Sequence, residues 1–586
     1  MPVSNVNSRQ MWRARLQQRT WPVLIDLAVF AALLAVLGAL AAVARYWFSA
    51  AVPAAEISRS PRALPLYAFY SLVRMATAYL LSLIFAVAYG YIATYSKRWQ
   101  GVMLAILDIL QSIPVLSFLP GVMLAMVALF PTRQMGVEFG SIILIFTGQV
   151  WNMAFSFYAS LQAIPRELRE ASRVYRFSRL QTFLQLELPY GSIGLVWNSM
   201  VSVAGGWFFL MACEMFQLGK RDFRLPGLGS FLQSAASAGD TGAIIWGLVA
   251  MIAVIVLIDQ LIWRPAIAWS DKFKFEQVES NAAPASGILN LLRRSPLLTR
   301  LRETVFTPLA ERMYRHYAQH PAAQPEMPDA GQGTASPWRV AAGYASAVVL
   351  LMAIGYGVFE AFRTLRAVTS AELVVTVQAA LATFLRVAVS LIIASAWAIP
   401  AGVAIGFHPR LARIAQPLAQ IAASVPATAL FPVILLGLIS LGGGLGTGSI
   451  LLMLLGTQWY ILFNVIAGAI AIPSDLKEVA DVFRFSTVQR WRTVILPGIY
   501  PYLITGLVTA SGGAWNASII AEYFHFKGTV LSTFGLGAQI SSATDSGNFA
   551  VLLLSTMVMA TFVVTVNRLL WRPLYRLGET RFRLEN

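Results

Sequence analysis

The chain has 586 residues, 57% of them hydrophobic and 12% charged, with a mean hydropathy of +0.65. Soluble domains carry about 25% charged residues, so a water-exposed fold is excluded and a chain that crosses a bilayer many times is indicated. The formal charge of +17 does not point to nucleic acid: no basic patch has the interleaved aromatics that binding needs, and basic residues flanking apolar spans are the expected positive-inside signal.

In chain order, residues 1–21 hold Arg9, Arg13, Arg15 and Arg19 without an acid and read as a cytoplasmic segment. The apolar stretch 22–48 is too long for the core of a cleavable signal and reads as a first span. Roughly 20 apolar residues cross the hydrocarbon core, and five further stretches qualify, near 66–95, 102–130, 139–163, 191–216 and 242–264. Lys97, Arg98 and the arginines between Arg166 and Arg179 mark cytoplasmic loops, although Lys220, Arg221 and Arg224 cluster on the opposite side. A basic, Pro- and Gly-containing linker follows over 277–336. Its first part is compatible with interfacial helices, and its second part has the composition of a disordered tether. Six more stretches follow near 338–362, 375–407, 414–440, 447–471, 499–524 and 547–571. The expectation is therefore twelve spans with both termini cytoplasmic.

Chemistry-bearing residues are scarce. Cys213 is the sole cysteine, and of the four histidines only His316 and His320 are neighbours, without an acid spaced as in HExxH. Neither a metal site nor a catalytic centre is expected, and no cofactor.

The two halves repeat. From Gly148 to Pro265 the first aligns with the second without a gap at a shift of 308, pairing Trp151 with Trp459, Pro165 with Pro473, Trp207 with Trp515 and Glu214 with Glu522. Upstream the shift is 312, pairing Arg74 with Arg386, Gly90 with Gly402, Ser112 with Ser424 and Pro114 with Pro426. One register held across so many Pro, Gly and Trp positions marks an internal duplication. An even number of spans per repeat gives both halves the same topology, related by a pseudo-two-fold axis along the membrane normal. The expected domains are the 22–276 bundle, the linker, and a second bundle over 337–586.

Two matched cytoplasmic loops stand out, 163–189 and 471–497. Each opens on Ile-Pro, continues as a charged amphipathic helix, turns at Arg-Phe-Ser and ends at Leu-Pro. These loops resemble the EAA motif of ABC importer permeases, and the matched Ser-Ile-Pro, Ser-Val-Pro, Glu and Gly-Leu-Gly features resemble the nitrate/sulfonate/taurine subgroup. The resemblance covers nearly all of both repeats.

The resemblance implies an all-α polytopic fold of two tandem six-helix type I bundles. It also implies a transport subunit, not an enzyme, in a bacterial inner membrane. ATP would be hydrolysed by two copies of a separate ATP-binding subunit, since this chain carries no GxxxxGK[ST] loop, and a solute-binding protein would deliver a small anion or oxoacid. Contact with the ATPases would fall to Glu170, Ala171, Arg176, Phe177, Glu478, Val479, Arg484 and Phe485. Arg176 and Arg484 stand where the family has Gly, which leaves two expectations: a more helical turn, or arginines that reach an acidic groove. Candidates for the pathway are Ser112, Pro114, Asn198, Ser202, Trp207, Glu214, Ser424, Pro426, Trp515, Asn516 and Glu522. For the prolines the alternative is a packing kink, and for the two acids a role in gating or interfacial anchoring. The rival to the whole reading is an ion-coupled secondary transporter with twelve spans.

Overall fold

Among the described residues, long apolar runs bounded by Pro, Gly and capping residues become eight helical runs of 27 to 38 residues, counted through the π-turns within them, each long and apolar enough to cross a membrane. The computed structural model describes residues 56–273 and 355–581 apart from 97–98, 113, 133, 219–220 and 527–528, with isolated residues elsewhere. The expected N-terminal segment, first span and linker lie outside the described residues, as does most of 338–362.

The first half runs α1 (Leu64–Tyr95), α2 (Gln100–Ser112), α3 (Leu119–Leu129), α4 (Met135–Gln162), α5 (Arg166–Val174), α6 (Arg179–Thr182), α7 (Leu188–Glu214), α8 (Leu228–Ala238), α9 (Thr241–Ile258) and α10 (Arg264–Ser270). In the second half follow α11 (Ser370–Phe407), α12 (Pro409–Ser424), α13 (Ala427–Ser440), α14 (Leu445–Ala471), α15 (Ser474–Val482), α16 (Thr487–Arg490), α17 (Leu496–Ala521), α18 (Leu536–Ser546), α19 (Phe549–Val566) and α20 (Arg572–Arg581). The shift of 308 holds in three dimensions, since α5, α6, α8 and α9 recur residue for residue as α15, α16, α18 and α19. So do the π-turns at Phe183–Glu187 and Asp259–Trp263, which reappear at Trp491–Ile495 and Asn567–Trp571. Short antiparallel hairpins follow α7 and α17.

Small residues set the packing. Ser71, Ala78, Ser82, Ala86 and Gly90 form a buried stripe on α1 at helical spacing, and Thr383, Ser390, Ala394, Ala398 and Gly402 repeat it on α11. Such stripes let backbones approach where lipid offers no hydrophobic drive. A Cβ at Gly90 would already sit 3.0–3.2 Å from Phe157 and the backbone of Ala154 and Tyr158 on α4. Other faces of these helices stay apolar and exposed, for example Ile84 and Ile392, as lipid contact requires.

The third span of each half is broken at its prolines. In the second half α12 and α13 meet at 85°, and in the first half α2 ends ahead of Pro114, which caps the short turn Val115–Phe118. Proline disfavours helical geometry in the residue before it and removes an N–H, so Ser-Ile-Pro and Ser-Val-Pro act as breaks. Pro114, Pro120, Pro426 and Pro432 are all buried in protein, where lipid does not meet the freed carbonyls.

Candidate functional site

The loop helices α5 and α15 begin directly after Pro165 and Pro473, whose fixed φ suits a helix start. Each is tied to the span before it by a cation on a terminal carbonyl: Arg169 donates to Leu161 O at 2.5 Å, and Lys477 Nζ donates to Ala469 O at 3.3 Å. Partial burial pushes the Lys477 ammonium below its ordinary range. Both helices end in the same double-bonded cap. Arg176 N–H donates to Arg173 O and Phe177 N–H to Ser172 O; Arg484 N–H donates to Asp481 O and Phe485 N–H to Ala480 O. This is the Schellman arrangement, which needs a left-handed residue at its turn.

Arg176 (φ 52°) and Arg484 (φ 48°) supply it. The expectation of a more helical turn is therefore overturned: the glycine geometry is kept and an arginine carries its strain. A left-handed L-residue costs about 1–2 kcal/mol, and glycine's extra unfolded-chain freedom returns about half of that. Arg176→Gly is thus expected to raise stability by about 0.5–1 kcal/mol, read as a higher thermal unfolding midpoint of the purified chain. An unchanged or lower midpoint would remove strain from the account.

The caps hold apolar side chains away from the protein. Val174 and Tyr175 are 79% and 75% exposed, and their counterparts Val482 and Phe483 are 77% and 71% exposed. Glu170, Glu478, Val479, Arg176 and Arg484 are also exposed, whereas Ala171, Phe177 and Phe485 are half-buried at the base.

At the far end of α7 and α17 lies a pair of buried charge clusters. Arg74 donates from Nε and Nη2 to both oxygens of Glu138 (2.6 and 2.7 Å), and from Nη1 to Glu214 Oε1 and Pro226 O (each 2.8 Å). Ser71 Oγ donates to Glu214 Oε1 at 2.7 Å, while the N–H of Gly229 donates to Glu214 Oε2 at 2.7 Å and that of Leu228 to Ser71 Oγ at 3.0 Å. In the second half Arg386 Nη1 donates to Glu522 Oε1 at 2.8 Å, Thr383 stands for Ser71, and the N–H of Gly537 donates to Glu522 Oε2 at 2.9 Å. Each carboxylate thus caps the positive N-terminus of the next helix, α8 or α18, with an arginine as counter-ion. The halves differ at one place: Arg386 Nη2 donates to Thr533 Oγ1 at 3.0 Å, and Gly446 occupies the repeat position of Glu138. Glu214 and Glu522 have no exposed surface, so in this conformation they face neither cavity nor lipid and hold the helix ends together.

Two cavities lie between the halves, one above the other along α7 and α17. The central one, about 140 Å³, is walled by Met200, Phe209, Gln420, Trp459, Tyr460 and Asn516 among others, with Pro426 at its edge. The second, about 150 Å³, lies beyond the ends of these helices and gathers Gln217, Gln233, Tyr523, His525 and Asp545. There Tyr523 donates to Asp545 Oδ2 at 2.8 Å, with His525 Nε2 3.4 Å from the same oxygen. Burial, reinforced by that carboxylate, pushes the Tyr523 phenol up. Between the cavities Asn516 Oδ1 accepts from the N–H of Leu116 at 3.3 Å and Thr556 Oγ1 donates to Ser117 O at 3.1 Å, so the second half closes on the broken segment of the first; in return Thr428 of the second half's break donates to Met211 Sδ at 3.3 Å.

The sequence-derived pathway candidates therefore separate. Asn516 and Pro426 line the central cavity, and Pro114 caps the broken segment. Asn198 is tied to Ser156 Oγ and Gly194 O, away from the cavity lining. Trp207 and Trp515 are each 1% exposed and packed in the core. Ser202 is buried without a hydrogen-bond partner for its hydroxyl. Ser112 and Ser424 end the helices before the breaks. Sequence reasoning missed Glu138, the Tyr523–His525–Asp545 group and Gln420. The paired Arg74 and Arg386, cations inside spans, were the signal for the first, since such a charge demands a partner.

Known proteins place these features in one lineage. The model for "binding-protein-dependent transport system inner membrane component" matches residues 61–262 and again 398–583. Similar curated proteins include the nitrate import permease protein NrtB of Leptolyngbya laminosa, 28% identical over 184 residues (31% of this chain, 62% of that protein). The taurine transport system permease protein TauC of Escherichia coli is 28% identical over 180 residues, 30% of this chain and 62% of the relative. The bicarbonate transport system permease protein CmpB of Synechococcus elongatus is 32% identical over 142 residues, 24% and 50% of the two chains. The chain spans between half and just under two thirds of the length of these relatives. With two family matches, eight apolar helices and a repeat that persists in the fold, this chain belongs to the binding-protein-dependent transport system inner membrane components, as two tandem all-α, type I permease bundles fused in one multi-pass membrane protein.

Proposed function

We propose that the chain forms the solute pathway of an ATP-driven importer and takes its power stroke from two separate ATP-binding subunits, one seated on each of the loops 163–189 and 471–497. The observation that carries this reading is the pair of apolar knobs, Val174–Tyr175 and Val482–Phe483, held out by identical caps at matched positions. Exposed apolar side chains rimmed by charge mark protein contacts. Glu170, Ala171, Arg176 and Phe177, with Glu478, Val479, Arg484 and Phe485, form the rim and base of these contacts. Closure of the two subunits would move the knobs together and rock the bundles about the cavities at their interface. The relatives are named for nitrate, taurine and bicarbonate, which supports a small anion or oxoacid delivered by a solute-binding protein outside a bacterial plasma membrane. The linker 277–336 then joins the bundles on the loop side, with both termini on that side.

The rival, a twelve-span ion-coupled transporter, calls for ionisable groups facing the pathway. Among the described residues the central cavity is walled instead by amides, aromatics and apolar side chains, Tyr460 being its one titratable group, and the ionisable Tyr523, His525 and Asp545 of the second cavity follow the end of α17 at Ala521. Gentle purification from the native membrane decides between them. Two ATP-binding subunits per chain are expected, one lost with Val174→Glu/Tyr175→Glu and the other with Val482→Glu/Phe483→Glu. A chain that purifies alone and moves solute into liposomes without ATP would establish the rival.

A further inference from the structure

We propose that the first half, and not the second, holds an anionic phospholipid where α1 meets the start of the helix that runs from Arg179 to Glu214. The inference rests on the fold and does not require the transport reading above.

A groove of about 650 Å³ opens there, with Leu83, Val87 and Tyr91 on one wall and Leu180 and Phe183 on the other. The α1 residues recur every four positions, so they line one face of the helix over about 12 Å. The Tyr91 and Phe183 rings meet edge-on at 5.4 Å, joining the two walls. Such a volume suits part of an acyl chain, and the groove lies where α1, long and apolar enough to cross a membrane, meets the first turns of the helical run Arg179–Glu214, which places it at the edge of a bilayer.

The headgroup end has a cation. Arg179 lines the groove with an exposed side chain, and among the described residues it makes no ion pair. It is also the first residue of its helix, whose N-cap Ser178 bonds Gln181 N–H and leaves the N–H groups of Arg179 and Leu180 at the positive end. The phosphate of a net-anionic headgroup such as phosphatidylglycerol has no cation of its own and is satisfied by the guanidinium and the helix end, whereas in phosphatidylcholine the choline already neutralises it. The duplication supplies a natural control. Thr487 replaces Arg179, Ser395 replaces Leu83 and Val403 replaces Tyr91, so the second half keeps the helix start and loses the cation and part of the apolar wall. An occupant here would touch α1 and the end of the loop 163–189 together, making that loop alone responsive to lipid charge.

The test uses the delipidated full chain in detergent, titrated with phosphatidylglycerol or phosphatidylcholine and read by native mass spectrometry. The wild type is expected to retain phosphatidylglycerol preferentially. Arg179→Thr should weaken that binding about fivefold, the factor one cation contributes near an anionic headgroup, and leave phosphatidylcholine unchanged. Val87→Trp, which fills the groove, should remove both. Equal retention of the two lipids by the wild type would overturn the proposal, as would undiminished phosphatidylglycerol binding by Arg179→Thr. Undiminished binding by Val87→Trp would do so too, since the groove would then be covered by another segment of the chain. If Val87→Trp fails to fold, the Arg179→Thr comparison still decides.

Discussion

Replacing Arg74 with Met is expected to cost about 3–5 kcal/mol, the penalty for leaving buried charge without its partner. Arg74 is 1% exposed and is the cation shared by Glu138 and Glu214, both with no exposed surface. Its removal strands two carboxylates at once and releases the clamp on the start of α8. The same change at Arg386 should cost less, because that arginine is 16% exposed and serves a single carboxylate. Thermal unfolding midpoints of the two variants, with the yield of monodisperse chain, give the comparison. Adding Glu138→Gln and Glu214→Gln to Arg74→Met should recover part of the loss, since neutral amides bury at far lower cost. Equal midpoints for Arg74→Met and the wild type would sink the account of these clusters.

Gly227→Ala and Gly535→Ala are the second pair of large effects. Backbone strain is not the reason, for both glycines are extended, with φ of −178° and 178°. The reason is space: a Cβ at Gly227 would land on the Glu214 carboxyl group, and one at Gly535 on that of Glu522. Either the carboxylate swings off the helix end it caps, or the loop moves and the arginine follows. Overpacking and a lost charge-assisted hydrogen bond together suggest about 3 kcal/mol for each. Gly437→Ala is the control, because nothing lies within 4 Å of its added Cβ and alanine favours the helix by about 0.5–1 kcal/mol. Similar midpoints for Gly227→Ala and Gly437→Ala would show that the carboxylate's close approach is not what fixes the glycine.

These clusters also separate what could be read in advance from what could not. Hydropathy placed eight of the spans that are described, and the shift of 308 anticipated the recurrence of the loop helices and their turns, because each depends on nearby residues alone. The matched loops were legible for the same reason: a Pro start, an amphipathic repeat and a turn are local signals. The charge clusters were not. Arg74 and Glu138 lie 64 residues apart, and Arg74 and Glu214 140, so neither pairing leaves a trace in local pattern. Glu138 fell just outside an expected span and drew no notice.

What the sequence determined by itself was therefore a duplicated, multi-span membrane protein with two matched loops on one face, since lipid solvation and helical periodicity act residue by residue. The three-dimensional structure alone decided four further matters. It put Glu214 and Glu522 on the ends of the helices that follow them, and it sank Trp207 and Trp515 into the core while Asn516 faces the cavity. It broke the third span of each half against the opposite half, and it kept Arg176 and Arg484 in a glycine's conformation. The first three share a physical reason, since each depends on where a second, distant segment comes to rest, and packing between helices sets that position; the arginine turns are local caps whose left-handed residue the side-chain type did not announce.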